Sequence, residues 1–237
     1  MNIAIILAGG AGSRSGYDIP KQLVTVAGKT VLEHTVDVFE NNAHIDEIAI
    51  VIHEYYINDI ENIIIRNEWK KVKEVLQGGK ERFDSSFSAI KAYKQFPNYN
   101  LIFHDAVRPL VSQRIINEVV ESLENYNAVG VSIPVVDTIY EIDETQSLLK
   151  SIPVRSLYHR AQTPQGFKSE TIHKAYQIAM QDVNFQSTDD CSVVANCLPE
   201  EKIFLVRGDE TNRKMTYKED LINYELRINN YKTLHTY

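Results

Sequence analysis

Cysteine is scarce in this sequence, and the usual metal-binding and redox spacings are absent. The 237 residues include two cysteines, Cys191 and Cys197, whose spacing fits neither a zinc site nor a CxxC redox motif. The seven histidines show no HxH or HExxH spacing, which leaves little support for a zinc enzyme or a histidine-based nucleophilic triad. We therefore expect a reduced, soluble, cytoplasmic protein.

Long apolar runs and an excess of positive charge are also missing. No apolar run approaches the roughly 20 residues of a membrane-spanning helix, and the stretch Ile3–Leu7 is too short for a signal peptide and lacks a basic flank. Lysine and arginine total 25 against 32 aspartate and glutamate residues, which gives a formal charge of -7. This balance argues against duplex binding, and the 13 tyrosines form no stripe for base stacking. We expect neither a membrane nor a nucleic-acid partner.

What the sequence does contain is an alternation of short apolar runs and helical patterns. The runs are β-branched or aromatic-rich and have the length of buried strands: Ile3–Leu7, Ile48–Ile52, Leu101–His104, Ala128–Ile133 and Ile203–Val206. Apolar residues at helical spacing occur in Val31–Glu40, Ser85–Phe96, Ile115–Leu123 and the tail from Lys218 onward. The alternation predicts one α/β domain over residues 1–237, with a mainly parallel sheet covered by helices on both faces.

One segment interrupts this alternation. Val135–Arg160 has the pattern of two strands of mixed polarity, with a turn near Asp143–Gln146. Both faces are too polar for a core layer. We therefore predict a β-arm over about residues 135–160 that projects from the domain.

A glycine-rich loop, Leu7–Gly16, directly follows the first strand. Its glycines allow close backbone approach, and its N–H groups can bind phosphates. It lacks the Gly-Lys-Ser/Thr ending of a Walker A loop, and Ser15 stands where a dinucleotide fingerprint needs its third glycine. Arg14 in the loop and Lys21 just after it suit a triphosphate whose negative charge grows during attack. The alternative is a surface turn with solvated cations.

Asp105 lies at the carboxyl end of the apolar run Leu101–His104, where open α/β sheets bind their ligands. A lone carboxylate there could hold Mg²⁺ against phosphates, since magnesium usually takes one or two protein carboxylates. The alternatives are a helix cap or a salt bridge to Arg108.

The segment Gly78–Ser85 has the pattern of a loop that enters a helix. Asp84 or Ser85 could be the N-cap of that helix. Arg82 could equally be a solvated surface charge.

Taken together, these motifs resemble the sugar-nucleotidyltransferase superfamily, and within it the cytidylyltransferases that act on small polyol phosphates. The matching segments are Ile6-Leu-Ala-Gly-Gly-x-Gly-x-Arg14, Pro20-Lys-Gln22, Gly78-Gly-Lys-Glu-Arg-Phe-Asp-Ser85, His104-Asp-Ala-Val-Arg-Pro109, Pro134-x-x-Asp-Thr138 and Thr163-Pro-Gln165. They fall within a resemblance that runs from residue 3 to about residue 222. It implies a Rossmann-like three-layer αβα nucleotidyltransferase fold.

The group includes the methylerythritol-phosphate cytidylyltransferases of isoprenoid synthesis and the ribitol-5-phosphate cytidylyltransferases of teichoic acid or capsule synthesis. The resemblance implies transfer of CMP from CTP to a polyol phosphate, with release of pyrophosphate. Because the acceptor phosphate attacks the α-phosphorus itself, catalysis needs positioning and charge neutralisation rather than a protein nucleophile. The implied catalytic residues are Arg14, Lys21, Arg155 and Lys214.

The resemblance also implies the contacts of each substrate. For CTP these are Leu7, Ala8, Gly9, Gly10, Gly12, Gly78, Gly79, Lys80, Arg82, Ser85, Asp105 and Ala106. For the acceptor they are Thr138, Arg155, Thr188, Thr211 and Lys214. Asp105 would hold Mg²⁺. By the same resemblance the arm embraces a second subunit, which predicts a homodimer with shared active sites.

Two further features are not assigned to metal binding or catalysis. The pair Asp189-Asp190 looks like a metal site, but by resemblance it orients its loop and caps the next helix. His104 is interpreted as a strand residue rather than a base.

The choice of acceptor rests on three departures from the methylerythritol type. A glycine replaces the second of two alanines before Gly10, valine replaces alanine in Asp105-Ala-Val-Arg108, and Thr211 replaces an acidic residue. A threonine hydroxyl is a poorer magnesium ligand than that acid, and it suits an acceptor rich in hydroxyl groups. These departures favour ribitol 5-phosphate, with methylerythritol 4-phosphate as the alternative. A nucleotide-binding module without turnover remains a further alternative, although the implied catalytic residues are all present.

Overall fold

The computed structural model describes residues 1–10, 19–95 and 98–234. The strands are β1 (Asn2–Leu7), β2 (Thr25–Val26), β3 (Lys29–Thr30), β4 (Glu47–Ile52), β5 (Val72–Gln77), β6 (Asn100–Asp105), β7 (Ala128–Pro134), β8 (Glu141–Ile142), β9 (Leu149–Ser151), β10 (His159–Lys168) and β11 (Ile203–Arg207). The helices are α1 (Val31–Glu40), α2 (Ile57–Asn67), α3 (Arg82–Ala92), α4 (Gln113–Ser122), α5 (Ser169–Ala179), α6 (Asp190–Cys197) and α7 (Lys218–Leu234).

A seven-stranded sheet in the order β11-β7-β10-β6-β1-β4-β5 forms the centre of the fold. Its strands are parallel except for β10, which runs antiparallel to both β6 and β7. The predicted mainly parallel sheet is confirmed. In the register of β1 with β6, Leu7 pairs with Asp105. The glycine-rich loop and Asp105 therefore leave the sheet side by side.

Both faces of this sheet are buried, so the fold has three layers. Side chains alternate along β1, as they do in any strand. Ala4 and Ile6 belong to a core that includes residues of α1, α2 and α4. Ile3 and Ile5 belong to a core that includes residues of α3, α5 and α6. Within the described residues no helix is long and apolar enough to cross a bilayer.

Helices α1 and α3 begin with a capping box, in which side chains satisfy the first N–H groups. Thr30 Oγ1 accepts a hydrogen bond from Glu33 N (3.2 Å) and Glu33 Oε2 accepts one from Thr30 N (2.8 Å), so α1 starts as predicted. Helix α3 starts earlier than predicted, with Glu81 rather than Asp84 or Ser85 as its N-cap. Asp84 instead occupies the third helical position, where its Oδ2 accepts from Glu81 N at 2.9 Å.

The predicted arm contains the short antiparallel hairpin β8–β9, whose turn is closed by Asp143 as it accepts hydrogen bonds from Ser147 N and Leu148 N. Two corrections apply. His159 and Arg160 already belong to β10 and pair with β7. The arm is also less polar than its sequence pattern indicated, because many of its large apolar side chains are exposed: Val136, Tyr140, Ile142, Leu148, Leu149, Ile152, Val154, Leu157 and Tyr158.

Candidate active site

A cleft of about 400 Å³, the main cleft, opens at the carboxyl ends of β1 and β6. It is lined by Leu7, Ala8, Gly9, Gly10, Lys21, Gln22, Lys80, Glu81, Arg82, Ser85, Asp105, Val107 and Lys214. The structure thus gathers most of the predicted CTP contacts, and two of the predicted catalytic lysines, around one cavity. Its cations and backbone N–H groups suit a polyphosphate.

A smaller cavity of about 180 Å³, the side cleft, adjoins the main cleft. Arg82, Asp105 and Lys214 line both cavities. The other lining residues of the side cleft are Arg108, Ala161, Gln162, Thr163, Gln165, Thr188 and Asp189. Ala161 alone is apolar among these described lining residues, so the side cleft offers amides, hydroxyls and charges to its occupant.

Three predicted nucleotide contacts do not line the main cleft, and two predicted site residues are not described. Gly12 and Arg14 fall outside the described residues. Gly78 and Gly79 are not among the lining residues, and they permit close packing instead: a Cβ on Gly79 would lie 2.1 Å from Asp84 Cβ. Ala106 is fully buried, donates its N–H to Leu7 O and accepts from Thr35 Oγ1. Ala106 is therefore buried behind the residues that line the cleft.

Three predicted acceptor contacts also line neither cavity. Thr138 and Arg155 are exposed on the arm, where Arg155 Nη1 donates to Val136 O at 2.5 Å. Thr211 is exposed, and its Oγ1 donates to Asp209 Oδ1 at 2.7 Å. It lines a separate cavity against α7 that also includes Lys214. This placement does not support the predicted contact between Thr211 and the acceptor.

Asp105 is surrounded by cations. Its Oδ2 lies 3.0 Å from Arg108 Nε and 3.1 Å from Lys214 Nζ, and its Oδ1 lies 3.5 Å from Arg82 Nε. Burial would raise the pKa of Asp105, but Lys214, Arg82 and Arg108 together lower it far below its usual value. The predicted alternative, a salt bridge to Arg108, is present, and Asp105 stays ionised throughout the physiological pH range.

Asp105 offers one ionised carboxylate to a magnesium ion that would arrive with the nucleotide. The described residues contain no cluster of three or more His, Cys, Asp or Glu side chains able to hold a metal. Asp105 Oδ1 has only the long 3.5 Å contact with Arg82. Because magnesium commonly takes one or two carboxylates and fills its other positions with phosphate and water, one ionised carboxylate is sufficient.

Gln22 is a functional residue to which the sequence pattern assigned no role. It is buried, and its Nε2 donates to Ala8 O (2.5 Å) and Gly10 O (3.0 Å). These two bonds fix the start of the glycine-rich loop. Its position next to Lys21 was the one indication in the sequence, but a glutamine after a lysine does not by itself predict a buried side chain that hydrogen-bonds the loop.

His104 holds the turn after β6 and is not a base. It is fully buried, and its Nε2 lies 3.1 Å from Arg108 O while its Nδ1 lies 3.0 Å from Thr163 Oγ1. Because Arg108 O can only accept, Nε2 carries the proton and Nδ1 accepts from the threonine hydroxyl. Thr163 Oγ1 accepts in turn from Asp105 N at 3.1 Å. Neutral His104 therefore helps to fix Asp105.

We expect stability to fall as the pH drops from about 6.5 toward 4. Burial lowers the pKa of His104 from 6.5 to about 4, so in this window the unfolded chain binds a proton that the folded chain does not. Each pH unit there should cost about 1.4 kcal/mol. Urea unfolding at pH 7, 6 and 5 measures this slope. These pH values lie above the range in which Glu33 affects stability, because its pKa is lowered from 4.5 to about 2.

The matched control for this pH dependence is His173, which is less buried and whose pKa is also lowered by burial. His104→Gln should remove most of the slope of unfolding free energy against pH, and His173→Gln only a small part. An unchanged slope in His104→Gln would contradict the assignment.

The Asp189-Asp190 pair has two separate roles. Asp189 is the N-cap of α6, with Oδ1 accepting from Ser192 N at 2.8 Å, as interpreted from the sequence. Asp190 is fully buried, and its Oδ2 lies 2.7 Å from Arg82 Nη2. Arg82, with a side chain only 24% exposed, is not a solvated surface charge.

Comparisons with known proteins agree with this geometry. The family model described as IspD, 2-C-methyl-D-erythritol 4-phosphate cytidylyltransferase, matches residues 2–230. The chain is 49% identical over 222 residues to the bifunctional ribulose 5-phosphate reductase/CDP-ribitol pyrophosphorylase Bcs1 of Haemophilus influenzae. The matched region is 93% of this chain but only 46% of that protein. The chain is 39% identical to the 2-C-methyl-D-erythritol 4-phosphate cytidylyltransferase of Thermobifida fusca, over 92% of this chain and 89% of that one.

A solved structure gives the same result at the level of the fold. The 4-diphosphocytidyl-2C-methyl-D-erythritol synthase of Anaerococcus prevotii superposes with a TM-score of 0.84 at 29% identity, over 97% of this chain and 96% of that one. The similarity in sequence and in fold therefore extends over nearly the whole chain.

Proposed function

The chain belongs to the family of 2-C-methyl-D-erythritol 4-phosphate cytidylyltransferases, and on that premise we propose that it transfers CMP from CTP to ribitol 5-phosphate, giving CDP-ribitol and pyrophosphate. The observation that carries the reaction class is the main cleft, where Lys21, Lys214 and the glycine-rich loop meet ionised Asp105. The choice of acceptor is supported by the relative named a CDP-ribitol pyrophosphorylase and by the polar lining of the side cleft.

The proposed reaction needs no nucleophile from the chain. An oxygen of the acceptor phosphate forms a bond to the α-phosphorus of CTP as the bond to the bridging oxygen breaks, and pyrophosphate leaves with that electron pair. The chain contributes by holding the two substrates in line and by neutralising charge that grows in the transition state.

The leaving group is stabilised from the main cleft. Leu7–Gly10 and Lys21 line this cavity, and Gln22 fixes the start of the glycine-rich loop through Ala8 O and Gly10 O. We assign Lys21, together with Arg14, to the developing charge on the α-phosphate and pyrophosphate. Preorganised donors of this kind stabilise the transition state without reorganising during the reaction.

The acceptor phosphate is held between the two cavities. Lys214 lines both, and its side chain is 43% exposed although Nζ pairs with Asp105 Oδ2 at 3.1 Å. An ammonium in this position can bind the acceptor phosphate and keep it next to the α-phosphorus. Thr188 presents a hydroxyl side chain to the same space.

The side cleft favours an unbranched polyol. Methylerythritol phosphate carries a methyl group, and Ala161 is the one apolar side chain that the described lining offers to it. A methyl group that finds an apolar contact gains about 0.8 kcal/mol, and beyond Ala161 the described lining residues provide such contacts only through the methyl and methylene groups of polar side chains. A pentitol chain presents hydroxyl groups throughout, which suit the amide and hydroxyl lining.

Asp105 is the residue that would hold Mg²⁺ at this site. When bound, the ion would neutralise the charge of the triphosphate and of the departing pyrophosphate. Asp105 remains ionised because of its three cationic neighbours, so the ligand is in the correct protonation state.

We further propose that the active unit is a homodimer in which the arm of one subunit completes the site of the other. Arg155 and Thr138 line neither cavity of their own subunit, and the arm exposes large apolar side chains such as Leu148 and Leu157. Exposed apolar side chains clustered on one projecting segment are typical of an interaction surface.

A pyrophosphate-release assay tests the proposed reaction. The protein is incubated with CTP, Mg²⁺ and a panel of polyol phosphates, and the CDP-linked product is identified by mass. Release should require both CTP and a polyol phosphate. Turnover restricted to 2-C-methyl-D-erythritol 4-phosphate, the activity named for the family, would support the second candidate. Absence of release across the panel would contradict the proposal and favour a nucleotide-binding module.

A further inference from the structure

A buried ion pair behind the two cavities has no part in the mechanism above. Asp190 Oδ2 lies 2.7 Å from Arg82 Nη2, and Asp190 is fully buried. No substrate can therefore reach Asp190. Arg82, in contrast, lines both cavities, so the carboxylate of Asp190 can act on the reaction through Arg82.

Asp190 is held in place through both its carboxylate and its backbone N–H. Tyr176 OH donates to Asp190 Oδ1 at 2.7 Å, and Asp190 N donates to Gln165 Oε1 at 3.0 Å. Tyr176 is fully buried and stacks on Phe83, with ring centroids 4.6 Å apart. Asp190, which pairs with Arg82, is thus packed between α3, α5 and α6.

Arg82 needs such an anchor. It is the first residue of α3, where the positive end of the helix dipole disfavours a cation. It also shares the site with two further cations, since Arg108 Nε and Lys214 Nζ lie 3.0 and 3.1 Å from Asp105. A cation at the N-terminal end of a helix is locally unfavourable, and such an exception beside a cleft is typical of a functional residue.

We propose that Asp190 is a positioning residue that holds the Arg82 guanidinium between Asp105 and the two cavities. This inference rests on the proposed cytidylyl transfer. With Asp190 in place, Arg82 Nε stays within 3.5 Å of Asp105 Oδ1, and Arg82 meets substrates at the junction of the nucleotide and acceptor sides. Without it, the guanidinium is free to turn toward the phosphates and to displace Asp105.

Asparagine at position 190 separates this role from simple packing. It has nearly the shape of aspartate, but an NH₂ group replaces one of the two oxygens and the charge is lost, so it cannot both accept from Tyr176 at Oδ1 and pair with Arg82 at the position of Oδ2. Asp190→Asn should lower kcat by about 10- to 100-fold, the cost of a misplacement on the order of 1 Å. The KM for CTP should change little, because the loop contacts of the nucleotide are untouched.

A double-mutant cycle with Arg82→Lys tests the coupling. If Asp190 acts through Arg82, Asp190→Asn should have little further effect on kcat in the Arg82→Lys background. Equal fold losses in both backgrounds would overturn the inference. Tyr176→Phe serves in the same cycle if Asp190→Asn does not fold, with an expected kcat loss of about two- to tenfold.

Tyr99→Phe is the matched control for Tyr176→Phe. It also removes a hydroxyl from a buried tyrosine, but that hydroxyl donates to Tyr93 O, away from the cleft. Its kcat should equal that of the wild type. Equal kcat losses in Tyr99→Phe and Tyr176→Phe would overturn the inference.

A crystal structure of Asp190→Asn gives an answer that does not depend on turnover. The Arg82 guanidinium should leave its present position, and an unmoved guanidinium would contradict the inference. A wild-type protein inactive on every polyol phosphate would instead contradict the proposed function, and the structure would still test the position of Arg82.

Discussion

Lys21→Ala should lower kcat by about 10²- to 10³-fold, the usual cost of removing one preorganised electrostatic donor. Lys21 lines the main cleft, where we assign it to charge that grows on the α-phosphate and pyrophosphate. Because this charge is greater in the transition state than in bound CTP, the KM for CTP should rise much less than kcat falls. Steady-state kinetics with varied CTP at saturating acceptor measure both effects.

Lys29→Ala is the control for a lysine near in sequence but away from the cleft. Its Nζ lies 2.5 Å from Asp37 Oδ2, and the side chain is 40% exposed. This variant should retain the wild-type kcat. Normal turnover by Lys21→Ala would show that the assigned role of Lys21 is wrong.

Arg155→Ala should also abolish most turnover, and its defect should be complemented by a second inactive chain. Arg155 is exposed on the arm and lines neither cavity of its own subunit, so we expect it to act in the partner's site. In a heterodimer of Arg155→Ala and Lys21→Ala chains, one site has both lesions and the other has none. Mixing and re-equilibrating the two inactive proteins should restore activity.

The expected recovery has an upper limit. Random pairing of equal amounts makes half of the dimers mixed, and each mixed dimer has one intact site, so about a quarter of wild-type activity should return. The double variant, with Lys21→Ala and Arg155→Ala on the same chain, is measured alone and provides the inactive baseline. A monomer at working concentration, or no recovery after mixing, would contradict the shared site.

The strands of the central sheet were predictable where they are buried on both faces. Runs such as Ile48–Ile52 and Ala128–Ile133 are mostly apolar and rich in β-branched residues, and the structure places them in β4 and β7. Strand β10 gave no such signal because it contains buried polar residues. Gln162 and Gln165 are both almost fully buried, and their hydrogen bonds to Asp209 O and Asp189 Oδ2 form only after the chain has folded.

The site was predictable in part for the same reason. The loop after β1 and Asp105 follow apolar strands, so their meeting at one edge of the sheet can be expected from sequence. Arg82 was ambiguous, because its partner Asp190 is distant in sequence and buried only in the fold. Lys214 reaches Asp105 because Arg108 Nη1 donates to Asn212 O (2.9 Å) and Met215 N donates to Val107 O (2.9 Å).

The central claim is that the chain transfers CMP to ribitol 5-phosphate, and one ratio tests it most directly. We would measure kcat/KM for ribitol 5-phosphate and for 2-C-methyl-D-erythritol 4-phosphate with the same enzyme, CTP and Mg²⁺. The account predicts a ratio well above one in favour of ribitol 5-phosphate, because Ala161 is the one apolar residue among the described lining residues of the side cleft and the others carry hydrogen-bonding or charged groups. A ratio in favour of 2-C-methyl-D-erythritol 4-phosphate would contradict it.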